Sequence, residues 1–234
     1  MGELINGRTP EERMNTMSEY HKIEGIFTRC PETRKLIPEF RNPVVGMLAN
    51  IPWIFTEKVD GTNIRVIWDG HSVSFAGRTD KATIPAPLLT VLNDTFGGDV
   101  GEQIFEEHFG DKHVVLYGEG YGAKIQKGGG LYRKDNGFIL FDVKVNDKYL
   151  ERLNAFEVAR YFGIDHVPIL FIGTIGEAIE YVKKCPCSVV SEEPKEMEGV
   201  VGTPVHELRT GNGERLIVKI KVRDMEEAYG HQTD

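Results

Sequence analysis

From Trp53 onward the pattern of hydrophobic and polar positions is rich in strand-like segments, some of them apolar throughout and others alternating. Residues 53–55 form an apolar run and residues 64–68 an alternating one, so both segments are predicted to be strands. The Trp-Asp-Gly-His sequence at 68–71 favours a two-residue hairpin turn, because Asp-Gly tolerates the backbone angles of such turns. Further β-rich segments lie at 113–119, 137–145, 199–201 and 215–222.

Helical patterns separate these predicted strands. One or two helices are expected over 86–109, and two more over 154–162 and 175–184. A capping-box pattern opens each of the last two, which marks a helix start. The capping pairs are Asn154 with Glu157 and Thr174 with Glu177. The expected core contacts of the first helical region are Leu88, Leu89, Leu92, Ile104, Phe105 and Phe109.

This order of elements predicts an α+β domain over residues 51–225, built on antiparallel β-sheets with flanking helices. Residues 1–50 contain scattered Pro and Gly and little periodicity, so we expect an irregular N-terminal segment packed on the core. Residues 226–234 are expected to form a C-terminal tail without a separate C-terminal domain. No internal repeat and no clear linker interrupts the pattern.

Composition narrows the class of protein. A chain of 234 residues with 40% hydrophobic content can form a real core. No segment is apolar enough to span a bilayer, and the N-terminus lacks the apolar stretch of a signal peptide, so we expect a soluble, cytoplasmic protein. The cysteines Cys30, Cys185 and Cys187 do not have the spacing of a metal site and are expected to be reduced.

The charge pattern bears on nucleic-acid binding. A net charge of −8 argues against a broad basic face, although it allows a local one. Lys124, Lys127, Arg133 and Lys134 lie in the Gly-rich stretch 123–137. Two interpretations stay open, a mobile solvated loop or a loop that binds phosphates.

The segment FTEKVDGTN, residues 55–63, places Lys58 between two predicted strands. One interpretation is a polar turn shaped by Asp60 and Gly61. The other is a nucleophilic lysine, since desolvation or neighbouring cations can lower the pKa of an amine until the neutral form is available.

Other polar residues occupy places where a fold seldom needs them. Glu119 ends a predicted strand between two glycines, and Glu198 directly precedes an apolar strand. Lys219 and Lys221 share one face of a single predicted strand. Together with Lys58 they supply amines and carboxylates suited to a metal-assisted attack on a phosphate.

Six short motifs, in this order, resemble the collinear motifs of ATP-dependent polynucleotide ligases in the covalent nucleotidyltransferase superfamily. They are EKVDGTN (57–63), GRT (77–79), LYGEGYG (116–122), FILFDV (138–143), EGVV (198–201) and VKIK (218–221). DNA ligases and messenger RNA capping enzymes commonly have arginine at the position of Asn63. The asparagine is similar to the second type of phage RNA ligase and to the kinetoplastid RNA-editing ligases. The resemblance extends from about Trp53 to Arg223 and implies a nucleotidyltransferase domain.

The resemblance also implies roles for single residues. Lys58 would attack the α-phosphate of ATP to form lysyl-AMP and release pyrophosphate. Glu57 would accept a hydrogen bond from the adenine amino group, and Phe141 would stack on the purine. Asn63 and Arg78 would contact the ribose or a phosphate.

The remaining motif residues would act on the phosphates and the metal. Glu119 and Glu198 would hold the ribose or a divalent ion, Mg²⁺ or Mn²⁺, and Lys219 and Lys221 would meet the α-phosphate. The catalytic set is then Lys58, Glu198, Lys219 and Lys221.

The expected function is an ATP-dependent RNA ligase that joins RNA 5′-phosphate and 3′-hydroxyl ends through lysyl-AMP and adenylylated RNA. The alternatives are a DNA ligase core, a capping-type guanylyltransferase, or a non-catalytic nucleotide- or RNA-binding module. The intact nucleophile argues against the last of these, because a binding module does not need one. Such ligases usually have a further domain after the last motif, whereas this chain ends soon after Arg223.

Overall fold

The computed structural model describes residues 19–211 and 213–230, and this part of the chain has the predicted α+β architecture. Its strands are β1 (Glu24–Gly25), β2 (Phe27–Arg29), β3 (Leu36–Phe40), β4 (Trp53–Glu57), β5 (Thr62–Trp68), β6 (Val73–Gly77), β7 (Val114–Gly122), β8 (Asn136–Val145), β9 (Lys148–Tyr149), β10 (Asp165–His166), β11 (Ile169–Gly173), β12 (Gly199–Pro204) and β13 (Val218–Lys221). Its α-helices are α1 (Pro43–Met47), α2 (Ala86–Phe96), α3 (Gly98–Phe109), α4 (Arg152–Tyr161), α5 (Ile175–Lys183) and α6 (Val222–Tyr229). The start of the predicted segment 1–50 and the end of the predicted tail 226–234 lie outside the described residues.

The chain divides into two compact units. Among the described residues, the first unit comprises residues 19–21 and 61–166, and the second comprises residues 22–60, 167–211 and 213–230. The chain passes from one unit to the other after His21, within the Asp60-Gly61 turn and after His166, and none of these places has the composition of a linker. For this reason the sequence pattern does not predict the division.

The first unit is built on a six-stranded sheet. The strand order is β10-β8-β7-β5-β6, with β9 paired to β8, and every pair is antiparallel except β10 with β8. Apolar side chains of α2, α3 and α4 form one core with the strands. The core residues from the strands include Ile64, Val66, Leu116 and Leu140.

The predicted hairpin between β5 and β6 is confirmed. The carboxylate of Asp69 accepts hydrogen bonds from the backbone N–H groups of His71 and Ser72, each at 2.8 Å. Gly70 has a φ of 98°, a value that glycine adopts without a steric penalty. The Asp-Gly pair therefore forms the turn for the reason that the sequence suggests.

The second unit is built on a five-stranded sheet in the order β1-β13-β12-β4-β11. All pairs are antiparallel except β1 with β13, and β2 and β3 form a separate two-stranded sheet. Trp53 and Phe55 of β4 are fully buried and form a core with α5 and α6 residues such as Ile175 and Met225. The strand that precedes Lys58 is therefore held rigidly by its apolar side chains.

Some local predictions are corrected by the structure. Thr174 and Glu177 form the predicted capping box of α5. The prediction for Asn154 is wrong, because α4 already begins at Arg152 and its N-cap, Glu151, makes no side-chain capping bond. Leu89 is also not a core residue, since 37% of its surface is exposed on the outer side of α2.

Regular structure also occurs where the sequence pattern is weak. The described part of residues 1–50 contains β1, β2, β3 and α1, which are short elements stabilised by pairing with distant segments. The strand predicted at 215–222 begins at Val218 and ends at Lys221. Helix α6 then continues to Tyr229, past residue 225, where the predicted domain ended and the predicted tail began. Elements this short leave too few apolar positions for a periodic pattern.

Candidate active site

Lys58 follows the last residue of β4 in the second unit. Its backbone N–H donates to the carbonyl oxygen of Gly199 at 2.9 Å, so the chain stays paired to the neighbouring strand at this residue. The next residue, Val59, is 3% exposed. The structure thus presents Lys58 from a fixed backbone and not from a mobile turn.

Strand register places Lys58 beside the adjacent strands β12 and β13. In this register, β12 lies between β4 and β13, with Glu57 opposite Val200 and Lys221 opposite Gly199. A Cβ atom at Gly199 would lie 2.1 Å from the carbonyl oxygen of Ile220, and its φ is 151°. Only glycine permits this close approach of the strands.

Glu198 joins two of the lysines. Lys58 Nζ donates to Glu198 Oε2 at 2.6 Å, and Lys221 Nζ donates to Glu198 Oε1. The three side chains are largely buried, with 22%, 12% and 17% exposure for Lys58, Lys221 and Glu198. Such charge-assisted hydrogen bonds fix the amines in place more firmly than a solvated pair would.

The charges of this cluster perturb its members. Burial raises the pKa of Glu198, but the charge of Lys58 and the hydrogen bonds from Lys221 and Lys58 outweigh it, so the net pKa is lowered. Burial, followed by repulsion from Lys221 and Lys58, lowers the pKa of Lys219. Lys219 therefore belongs to the same electrostatic cluster, as the predicted shared strand face requires.

Glu57 precedes Lys58 in the chain, but its side chain has different hydrogen-bond partners. It is 1% exposed, and its carboxylate accepts hydrogen bonds from Ser188 Oγ and from the backbone N–H of Val189, the latter at 2.8 Å. Ser188 Oγ in turn accepts from the N–H groups of Val190 and Ser191 at 3.2 and 3.1 Å. Sequence reasoning missed Ser188, since it lies 131 positions from Glu57 in a loop without a motif.

In the first unit, Asn63 and Glu119 are directly paired across β5 and β7. The side-chain oxygen of Asn63 is buried and has no hydrogen-bond partner within the described part of the chain. A Cβ atom at Gly61 would lie 2.2 Å from the carbonyl oxygen of Gly120, so the backbone is closely packed here. An unsatisfied buried acceptor is costly, and a ligand hydroxyl could satisfy it.

Arg78 lies in the segment that follows β6, and its side chain is exposed. The buried guanidinium of Arg65 holds this segment, because it donates to the Gly77 carbonyl at 2.8 Å and to Asp80 Oδ1 at 2.6 Å. Arg65 is a second residue that sequence reasoning missed. Its place in an alternating strand gave no reason to separate it from an ordinary surface arginine.

Phe141 lies at a β-bulge, since Tyr117 pairs with Asp142 and Gly118 pairs with Leu140. The Phe141 ring meets the Tyr20 ring edge to face, with centroids 5.1 Å apart. A bulge redirects a side chain relative to its strand, and bulges often occur beside binding sites.

The site residues thus fall into separate groups. Lys58, Glu198, Lys219 and Lys221 form one cluster, and Glu57 lies beside it with the Ser188 loop. Within the first unit Asn63 is paired with Glu119, whereas Arg78 and Phe141 occupy other positions. Among residues 19–211 and 213–230, no group of three or more His, Cys, Asp or Glu side chains could hold a metal ion by itself.

Comparison with solved structures identifies the class of fold. A Naegleria gruberi RNA ligase with PPi is 21% identical, with a TM-score of 0.63, and the match covers 97% of this chain and 60% of that one. A mutant of that ligase with ATP and Mn is 19% identical, with a TM-score of 0.62 and coverage of 92% and 60%. The chain therefore has the fold of these ligases and spans about 60% of their length.

The sequence itself matches the RNA ligase family model over residues 51–221. The chain belongs to the RNA ligase family. Comparison with curated proteins gave no match. No helix in the described part of the chain is both long enough and apolar enough to cross a membrane.

Proposed function

We propose that this chain is an ATP- and divalent-metal-dependent RNA ligase that joins RNA 5′-phosphate and 3′-hydroxyl ends. The observation that supports this most directly is the cluster in which Glu198 accepts hydrogen bonds from both Lys58 and Lys221. A nucleophile, a proton acceptor and cations for a phosphate are then present together, in a chain of the RNA ligase family.

In the first step Lys58 Nζ attacks the α-phosphorus of ATP. The new N–P bond gives lysyl-AMP, and the bond from the α-phosphorus to the bridging oxygen breaks, so pyrophosphate leaves. Glu198 accepts the hydrogen bond from Lys58 Nζ, so it is placed to receive the proton that the amine loses. Lys219 and Lys221 would stabilise the negative charge that develops on the phosphate oxygens.

Two further transfers complete the reaction. The RNA 5′-phosphate attacks the AMP phosphorus, which frees Lys58 and forms adenylylated RNA. The 3′-hydroxyl then attacks the RNA 5′-phosphorus, the phosphodiester forms, and AMP leaves.

Other side chains would bind the nucleotide. Glu57, oriented by Ser188 and Val189, would accept a hydrogen bond from the adenine amino group, and Phe141 would stack on the purine. The unsatisfied oxygen of Asn63 and the exposed guanidinium of Arg78 would contact the ribose or a phosphate.

Glu119 and Glu198 would be the protein ligands of Mg²⁺ or Mn²⁺. In phosphoryl transfer such ions are typically bound by one or two carboxylates together with substrate phosphates and water, so a cage made only of protein ligands is unnecessary. Each of the two side chains supplies oxygen ligands of the kind that these ions bind. When bound, the ion would neutralise charge on the phosphates.

The direct test is incubation with α-labelled ATP and Mg²⁺, followed by denaturing electrophoresis. The wild-type protein should acquire covalent AMP that is labile to acid and more stable to alkali, as expected for a phosphoramidate. Lys58→Ala should remove the label, while an exposed lysine of the same unit, Lys184, serves as the control substitution. Label that persists on Lys58→Ala would show that the nucleophile is another residue.

A further inference from the structure

The connection between β7 and β8, residues 123–135, carries an unusual concentration of positive charge for an acidic protein. We call it the basic loop. Its cationic residues are Lys124, Lys127, Arg133 and Lys134. The side chains of the three lysines are exposed.

The basic loop is anchored at several points within the first unit. At its base, Ala123 N–H donates to the Asp135 carbonyl at 3.0 Å, and the Asn136 amide donates to the Ala123 carbonyl at 2.8 Å. Tyr132 is 1% exposed, and the Gln126 amide donates to the Gly61 carbonyl at 3.0 Å. The exposed lysines therefore project from an ordered backbone, which lowers the entropy lost when they bind a ligand.

Arg133 has a structural role in this loop. Its guanidinium donates to both carboxylate oxygens of Asp135, at 2.6 and 3.0 Å, and lies 5.6 Å from the centre of the Tyr121 ring. Lys124 and Lys127 are thus better placed than Arg133 to meet an external anion.

The backbone of Lys124 also adopts a conformation that is unfavourable for residues other than glycine. Its φ is 64°, in the left-handed region, which costs free energy for a residue with a Cβ atom. Glycine would adopt this conformation without the cost, and Gly122 and Gly128 of the same region do so. This backbone outlier motivates the hypothesis that the Lys124 side chain has a function.

We propose that the basic loop binds the phosphate backbone of the RNA substrate, through Lys124 and Lys127. This inference rests on the proposed ligase function and adds a contact surface to it. The triphosphate of ATP is the other source of phosphate. The cluster around Lys58 provides largely buried cations for it, whereas the exposed, hydrated ammonium groups of the loop suit a phosphodiester chain that passes along the surface.

The test measures binding of a 5′-phosphorylated single-stranded RNA with a blocked 3′ end, without ATP, over a series of KCl concentrations. The variants are Lys124→Gly and Lys127→Gln, separately and together. Lys112→Gln is the control, because Lys112 is equally exposed but precedes β7 at the end opposite the basic loop. Each loop substitution should weaken binding and reduce the slope of log Kd against log salt by about 0.7, with no dependence on RNA sequence.

Thermal unfolding separates binding from folding. Lys124→Gly should melt no lower than the wild type, because the backbone strain is relieved, although RNA binding is weaker. The proposal would be overturned if the slope of log Kd against log salt were the same for Lys124→Gly, Lys127→Gln and the control Lys112→Gln. Loss of AMP labelling with unchanged RNA binding would also overturn it, since the loop would then serve the triphosphate. Absence of AMP label on the wild type would instead refute the proposed function, and the salt slopes would still decide the role of the loop.

Discussion

At the scale of single residues, Glu198 organises the candidate site. Its two oxygens accept from Lys58 and Lys221, and its lowered pKa keeps it ionised at neutral pH. Lys219, by contrast, has a lowered pKa because burial and the neighbouring lysines disfavour its charge. The cluster therefore contains one cation that the folded state tolerates at a cost, which is typical of functional sites.

Lys219→Met should consequently have opposite effects on activity and stability. Loss of a charge-assisted phosphate contact should slow AMP labelling about a hundredfold, or about 3 kcal/mol. The variant should unfold at a higher urea concentration at neutral pH, because the disfavoured charge is gone. The stabilisation should be complete below the lowered pKa of folded Lys219 and should disappear as the pH rises towards the unfolded value of 10.5.

The measurement compares urea unfolding at several pH values with the rate of labelling, and Lys184→Met is the control for an exposed lysine. Normal labelling by Lys219→Met would reduce Lys219 to a surface residue. A stability gain that grows with pH would contradict the sign of the pKa shift.

At the scale of elements, α4 and α5 show how one sequence pattern can have two outcomes. Thr174 Oγ1 accepts from the Glu177 N–H at 3.2 Å, and the Glu177 carboxylate accepts from the Thr174 N–H at 2.7 Å. Asn154 lies inside α4, which starts two residues earlier. Both sequences have a glutamate three residues after Asn or Thr. This spacing forms the N-terminal cap of α5, whereas in α4 the same residues lie within the helix.

Thr174→Ala should therefore destabilise the protein by about 1 kcal/mol, because the N–H of Glu177 loses its partner. Asn154→Ala should change stability by less than about 0.5 kcal/mol, since no capping bond is lost. Chemical denaturation of both variants gives the comparison directly. Equal destabilisation by the two substitutions would show instead that Asn154 caps α4.

At the scale of the whole molecule, the proposed ligase function raises the question of which polynucleotide ends the protein would join. The net charge of −8 makes general attraction to nucleic acid weak, so selectivity must come from local geometry. Asn63 by itself cannot recognise a 2′-hydroxyl on another strand. A ribose at the 3′-hydroxyl end favours A-form geometry, which would align the attacking oxygen with the adenylylated phosphate.

We therefore expect sealing to require ribonucleotides on the 3′-hydroxyl side and to tolerate DNA on the 5′-phosphate side. Substrates with RNA or DNA on each side of the junction, joined at one salt concentration, provide the measurement. Joining of the all-DNA substrate at an equal or faster rate would favour a DNA ligase instead. If AMP labelling proceeds while no substrate is joined, the chain adenylylates itself but needs a further component to hold RNA.

The sequence by itself determined the features that depend on neighbouring residues. An apolar run predicted β4, alternation predicted β5, β-rich composition predicted β7 and β8, and Asp69-Gly70 predicted the hairpin turn, because strand preference and turn geometry are largely local properties. The ordered motifs predicted the family, since each motif preserves a short segment in the same order along the chain. The α+β class followed from the same patterns.

Only the tertiary structure decided which of these residues meet. Lys58 and Glu198 are 140 positions apart, and their contact depends on β12 lying between β4 and β13 in one particular register. The Glu57–Ser188 bond, the Arg65 contact with the segment around Arg78, and the division into two units depend in the same way on long-range packing. A strand pattern with a period of two specifies which face a residue occupies, but the partner across the sheet is set by pairing that only the folded chain defines.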